Sequence, residues 1–401
     1  MRQRTFLIVA ILGLIGVAWL AYQARGGLEG QGLLYASGVF LGGFAGFALY
    51  HASFGFTAAW RRLVRERRGA GIRAQVLLIG LTCAVTYPLI GYEYLTGWDM
   101  HPVVIGMGIS SAFGAFVFGA GMQLGGGCAS GTLFTTGGGS TRMVLTLVCF
   151  ILGSVLATAH MNEFWLQLDE ITGVPNIRGT SLIREFGPLG GMGVLVLILG
   201  SIWIATIRVE RRAHGDLQEL SPTESLLSGR WSLYAGALGL AIVGIGCFLL
   251  FQRPWGVTAG FALWGGKIFQ AIGVPVTDWG YWSGWRAGQL DASVFANRTS
   301  VMNFGIVFGA MAAACLAGRF APVWRLSRRD ILTAVIGGLL MGYGARLAYG
   351  CNIGAYLGGL VSGSMHGFWW LVWGFAGSWL GTWIRGLLEM DPPITQRQAT
   401  V

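Results

Sequence analysis

Charge is what this sequence has least of. Only 11% of its 401 residues are Asp, Glu, Lys or Arg, against a hydrophobic share of 54% and a mean hydropathy of +0.61. Such a chain cannot cover itself with enough polar surface to dissolve as a globule, so it belongs in a bilayer. Other absences narrow the function. No GxxxxGK[ST] loop occurs, so the chain has no phosphate cradle for hydrolysing a nucleotide. There is no CxxC, and the five histidines (His51, His101, His160, His214, His366) stand at no metal or haem spacing. No metal and no cofactor is therefore expected. Acidic residues such as Asp99, Glu163 and Asp278 fall in connections rather than inside apolar runs, so no proton relay is legible. The formal charge of +10 has no compact basic domain to carry it, which excludes a nucleic-acid partner.

What is abundant is apolar length and glycine. A helix needs about 20 residues to cross roughly 30 Å of hydrocarbon. Ten runs qualify: Thr5–Tyr22, Gly32–Ala59, Ile72–Gly91, Val103–Gln123, Met143–Ala159, Pro188–Ile207, Trp231–Phe251, Val301–Arg319, Ile331–Tyr349 and Gly367–Leu387. Trp255–Val274 is a weaker eleventh. The first run follows Arg2 and Arg4 as a signal peptide would, but "LAYQARG" is a poor cleavage site, and the run reads as a retained helix. The 67 glycines follow no collagen period and lie within these runs, where small residues let helices approach closely.

Arginines crowd three connections: Arg61 to Arg73, Arg208 to Arg212, and Arg319 to Arg329. By the positive-inside rule these face the cytoplasm, together with both termini. Tyr92–Pro102 and Met161–Gly187 lack that excess and fall on the other side. The 17 tryptophans mark run ends and the segment Trp255–Trp285, as an interfacial belt would.

Two stretches break the apolar pattern, "GGGCASG" at Gly125–Gly131 and "AYGCNIG" at Ala348–Gly354. At one fixed offset Gly114, Gly119, Gly121, Leu124, Gly127, Cys128 and Gly131 face Gly337, Gly342, Gly344, Leu347, Gly350, Cys351 and Gly354. A looser match pairs "FTAAWR" (Phe56–Arg61) with "FAPVWR" (Phe320–Arg325) at a different offset. Threading the topology through the motifs makes them inverted copies. Each is followed by a piece too short to cross, Ala129–Thr136 or Asn352–Leu360, which fits a half-helix that dips in and returns. The expected fold is an all-α polytopic membrane protein, an internal inverted repeat whose two re-entrant half-helices meet near the midplane. One integral membrane domain is expected, with an N-terminal helix (1–30), a first repeat (31–187), connecting helices and a Trp-rich segment (188–300), a second repeat (301–388) and a cytoplasmic tail (389–401).

A half-helix beginning after Gly127 or Gly350 presents unpaired N–H groups and the positive end of its dipole, so an anion is the natural guest. A thiol is a soft, weak donor suited to a sulphur-bearing anion, and a helix N-terminus also favours the thiolate, which opens persulphide chemistry. Packing is the alternative role for Cys128 and Cys351, as it is the expected role of Cys83, Cys149, Cys247 and Cys315. Ser130 and Asn352 are placed to donate to an anion or to satisfy turn backbone. Arg346, on an apolar helix before Cys351, is either a substrate-facing charge or a snorkelling and capping residue. Gln123 occupies its equivalent place in the first motif.

"GARLAYGCNIGAY" (Gly344–Tyr356), "GGGCASG" and the later "GSWLG" (Gly377–Gly381) resemble motifs of the YeeE/YedE sulphur-transport family of bacterial inner-membrane proteins. The stretch Trp255–Trp282 resembles a segment of the longer YedE-type members. The resemblance implies a transporter rather than an enzyme, importing thiosulphate or a related anion past Cys128 and Cys351. It also implies a small cytoplasmic sulphur-carrier protein as a partner at the arginine-rich face. Several relatives carry a third cysteine in a "CFTSAFRD"-like motif; here the stretch reads "GFTAAWRR", with Gly55 in that place. A selenium compound, or thiol-to-acceptor sulphur transfer, remains as the alternative activity.

Overall fold

The computed structural model describes residues 2–171 and 179–391. They are helical, without named strands. The long helices are α1 (Arg2–Ala24), α2 (Gly32–Ala52), α3 (Phe56–Glu66), α4 (Ala70–Gly91), α5 (Ile109–Gly125), α6 (Ala129–Gly137), α7 (Thr141–His160), α8 (Leu182–His214), α9 (Leu233–Phe251), α10 (Thr258–Ala271), α11 (Arg298–Leu316) and α12 (Arg328–Leu347). Then come α13, which starts in π geometry over Asn352–Leu357 and runs on over Gly358–Val361, and α14 (His366–Leu387). Among the described residues nine helical stretches are long and apolar enough to cross a membrane. The protein is a multi-pass membrane protein. α14 has 22 residues and is rich in Trp and Gly rather than aliphatic residues; it lies along α5.

Several sequence boundaries move, each for a local reason. The run Gly32–Ala59 is two helices, because Ser53 turns left-handed (φ 46°) and Gly55 is extended. α3 then turns an arginine face outward and buries Phe56 and Trp60. Residues 103–108 are not helical. They follow Pro102, and the amides of Val103 and Ile105 are taken by the hydroxyls of Ser362 (3.0 Å) and Ser364 (3.4 Å). α8 starts earlier and runs longer than Pro188–Ile207, kinking where Gly187 has φ 70°. The eleventh candidate is α10, whose 14 residues reach about 21 Å at helical rise and do not span. The tail from 392 on lies outside the described residues.

Glycine sets how the helices meet. Gly114 of α5 packs on Gly344 and Leu347 of α12, and Gly121 packs on Gly337 and Leu340, so these two helices run antiparallel. When the motif offset is applied, the pair 114/344 becomes the pair 337/121. Gly119 packs on Gly374 and Ser378 of α14; its counterpart Gly342 packs on Phe150 and Ser154 of α7. Gly377 lies on Phe116, and Gly153 on Leu339, the counterpart of Phe116. These reciprocal contacts join α5, α7, α12 and α14. The upstream match falls outside them: α2 and α11 run parallel, with Gly42 on Met302 and Gly46 on Ile306. α4 lies between α2 and α5, and no such helix separates α11 from α12.

The three arginine-rich connections gather at one end of the bundle. There Arg385 grips Asp391 through two bonds (3.0 and 2.6 Å), with Arg65 at 3.1 Å and Arg61 at 3.9 Å. Arg385 also donates to the Gln123 carbonyl at 2.7 Å, tying the clamp to the end of α5. Burial pushes the Asp391 carboxyl up, but the bond from Arg385 and the charges of Arg385, Arg61 and Arg65 outweigh it and hold it below its ordinary value. A lowered folded value means the clamp is at full strength above the unfolded carboxylate range near pH 4 and is lost as pH falls through the folded value. Asp391→Asn is expected to cost about 1.5–3 kcal/mol at pH 7. In thermal melts the parent and the variant should converge on acidification below pH 4.

Candidate functional site

Cys128 and Cys351 are the N-cap residues of α6 and α13, both in extended geometry (ψ −171° and −168°). Each carbonyl accepts the first helical bond, from Thr132 at 2.7 Å and from Ala355 at 2.8 Å. Two residues before each cysteine the chain turns left-handed, at Gly126 (φ 93°) and at Tyr349 (φ 59°). Gly127 and Gly350 then lie against the first turn that follows. A Cβ on Gly350 would come within 2.7 Å of the Ala355 nitrogen, and one on Gly127 within 3.2 Å of the Thr132 nitrogen.

The Cys128 sulphur faces the amides of Ser130 and Gly131 and lies 3.4 Å from the Ser130 hydroxyl. The Cys351 sulphur faces the amides of Ile353 and Gly354. The two short helices that begin at these cysteines touch, α6 against α13. Exposure is 1% for Cys128 and 0% for Cys351. From this contact the two short helices diverge. α6 ends beside Tyr50 and Phe320, at the arginine-rich end. α13 ends at the opposite face, where Ser362 and Ser364 take the amides of Val103 and Ile105.

Aromatic rings wall the surroundings. Tyr356 of α13 stacks on Trp370 at 6.1 Å, Trp60 lies 6.2 Å from each, and Phe118 and Phe150 continue the row. Within this buried region several polar atoms have no protein partner: both ends of the Asn352 amide, the indole nitrogens of Trp255 and Trp370, and the Tyr87 hydroxyl. Buried groups of this kind are normally bonded, so a cluster of unmatched ones marks a place for water or a small polar guest.

The other residues singled out from the sequence separate into two sets. Ser130, Gly131, Asn352 and Gly354 surround the two thiols; Gly354 is open, its nearest foreign atom being the Gly256 Cα at 3.8 Å. Gln123 is occupied elsewhere, donating to the Thr57 carbonyl (3.0 Å) and the Ser378 hydroxyl (2.7 Å) and so pinning α3 and α14 to α5. Arg346 stands in the last turn of α12 and donates to no carbonyl among the described residues. It is 7% exposed and bonds the hydroxyls of Tyr281 and Thr258, both at 2.9 Å. Cys83, expected only to pack, also lies beside α13, its sulphur 3.7 Å from the Leu360 carbonyl. Nothing in the sequence around Cys83 distinguishes it from the other span cysteines.

The profile of the family described as sulphur transport matches residues 51–380, a stretch holding both cysteine motifs and every helix named above from α3 to α13. The chain belongs to the sulphur transport family. It is 32% identical over 142 residues to the probable transporter YedE of Escherichia coli, a match covering 35% of this chain and 35% of YedE. The chain thus aligns with about a third of that relative's length. Over longer stretches it is 22% identical to the thiosulfate transporter TsuA of Escherichia coli (329 residues; 79% of this chain, 85% of TsuA). It is 25% identical to TsuA of Spirochaeta thermophila (327 residues; 81% and 91%). These relatives are named as transporters, not enzymes.

In this sulphur transport family member Gly55 lines a cavity of about 440 Å³ at the arginine-rich end, with His51, Gln75, Arg62, Arg68, Arg230 and Arg319 among its walls. A Cβ on Gly55 would meet nothing nearer than the Ala58 Cβ at 3.9 Å, and its φ of −142° suits any residue. Gly55→Cys is therefore expected to fold with a stability change within about 0.5 kcal/mol. The new thiol should react with a membrane-impermeant maleimide from the arginine-rich side; a thermal melt and a labelling assay check both.

Proposed function

We propose that the protein carries thiosulphate, or a closely related sulphur anion, across a bacterial inner membrane along a path narrowed by the Cys128 and Cys351 thiols. The observation that carries this reading is the convergence of two buried N-cap cysteines on half-helices that diverge towards opposite ends of the bundle. Each half-helix aims its first-turn amides and a positive dipole end at the meeting point. Each thiol can donate a soft hydrogen bond to a sulphur or oxygen of the anion. Passing between two such sites, an anion exchanges one set of donors for its counterpart and is never left without partners in the low-dielectric interior.

Two further observations support the path. The reciprocal contacts of α5 with α12, α5 with α14 and α7 with α12 are those expected of an inverted repeat, in which α6 and α13 are re-entrant and the site lies near the midplane. Cavities at both ends of the bundle are basic. Opposite the cavity beside Gly55, one of about 630 Å³ is lined by Arg25, Arg253, Arg298 and His101. With arginines inside, the chain would place both termini in the cytoplasm and offer the Gly55 face to a small sulphur-carrier protein. Direct sulphur transfer to such a carrier would need a thiol the carrier can reach, and the burial of both cysteines favours transport of the intact anion.

The test is uptake of radiolabelled thiosulphate into proteoliposomes holding the purified chain, with sulphate and selenite as competitors. Saturable uptake blocked by unlabelled thiosulphate is expected. Selenite uptake that thiosulphate does not compete with would transfer the assignment to selenium. The absence of thiosulphate flux would end it.

A further inference from the structure

We propose that Arg346 is the fixed positive charge of a small-oxyanion site, and that the Trp-rich segment 254–296 builds that site and sets its specificity. The proposal rests on the transport reading and adds the residues that choose the anion. Arg346 sits in the last turn of α12. Its Nη1 donates to the Tyr281 hydroxyl and its Nη2 to the Thr258 hydroxyl, while its Nε has no partner. No carboxylate among the described residues forms an ion pair with it. A guanidinium does not give up its proton in a protein, and a buried charge facing only neutral hydroxyls is strongly unfavourable. An anion is the missing partner.

The segment puts more than two hydroxyls there. Its first turn, Pro254–Gly256, lies against the second cysteine motif: Gly256 Cα is 3.8 Å from a Cβ placed on Gly354, and Pro254 Cβ is 3.7 Å from one placed on Gly358. The turn thus packs on the half-helix that begins with Asn352, and both the Trp255 indole nitrogen and the Asn352 amide are buried without a protein partner. On its other side the Tyr281 ring carries a second guanidinium, Arg286, 4.6 Å from its centroid, again without a carboxylate partner among the described residues. Tyr281 thus links a half-buried cation near the surface to a buried one in the last turn of the helix that precedes the second cysteine motif, a graded route for an anion. The segment is also held in register. The Trp282 indole donates to Thr158 of α7 at 3.1 Å, and Lys267 clasps the carbonyls of Leu290 and Ala292 at 2.5 Å each. A rigid cation with fixed neutral donors favours a small anion rich in acceptor oxygens, such as thiosulphate, over chloride.

The experiment uses the full chain in detergent and in proteoliposomes, with thiosulphate, sulphate and chloride as probes. Tyr281→Phe removes one bond that aims Arg346. It is expected to raise the KM for thiosulphate about fivefold with the maximal rate kept, and to narrow the preference for thiosulphate over chloride. Arg346→Gln is expected to melt at a higher temperature than the parent without anion and to lose the stabilisation that thiosulphate gives the parent. Arg346→Lys should recover part of it. Parental KM and anion preference in Tyr281→Phe, or unchanged thiosulphate stabilisation in Arg346→Gln, would overturn the proposal while leaving transport intact. Thiosulphate binding that depends on Arg346 without any flux would uphold this site and overturn the transport reading instead.

Discussion

Cys128→Ala and Cys351→Ala are each expected to reduce thiosulphate flux by at least tenfold while leaving the protein folded in the membrane. A hydrogen bond to a charged group contributes about 1.5–3 kcal/mol, or roughly ten- to a hundredfold in rate if it is made at the barrier. The structural cost of removing one buried sulphur is small beside that, since alanine keeps the N-cap backbone and leaves the Thr132 and Ala355 bonds in place. Because the two thiols stand in series on one path, the double variant should be little worse than either single one, a marked failure of additivity. Flux measured in proteoliposomes at equal protein content decides it. Serine should restore part of the flux, having a donor but not a soft one.

Glu210→Gln is expected to destabilise the protein more than any substitution at the thiols, by about 3–5 kcal/mol. Glu210 is 0% exposed and receives Arg73 at 2.8 Å, Arg68 at 3.3 Å and the amides of Gly69 (3.2 Å) and Gln218 (2.9 Å). It ties the turn between α3 and α4 to the end of α8. Neutralising it leaves the buried Arg73 without a counter-charge, whereas replacing the pair together by apolar residues of similar volume should be far milder. A drop in melting temperature with unchanged KM is the expected signature. An unchanged melting temperature would show that the buried pair contributes nothing net.

Length, hydropathy and arginine placement made the bilayer, the arginine-rich end and most spans legible in the sequence. The glycine-cysteine repeat made the short helices α6 and α13 legible to within one residue. What stayed hidden depends on tertiary partners. The break after Ala52 is invisible in an apolar run, since only the left-handed Ser53 and the burial of Trp60 among Tyr356, Trp370 and Phe375 reveal it. Residues 103–108 look like helix until their amides meet Ser362 and Ser364, far along the chain. Glu210 reads as one acid among loop arginines, and its burial follows from α8 running on to His214. At the site, Gln123 and Arg346 hold equivalent sequence positions yet differ in use: the amide is saturated by its neighbours, and the guanidinium is not. The hydroxyls that hold Arg346 come from the Trp-rich segment, which residue pattern alone marked only as interfacial.

Crosslinking of Cys128 to Cys351 by a short bifunctional thiol reagent, in a chain whose other four cysteines are alanine, addresses the convergence of the two motifs most directly. The account predicts an intramolecular adduct joining the two peptides in high yield, suppressed by thiosulphate. Single labelling of each thiol with no joined product, with or without thiosulphate, would contradict it.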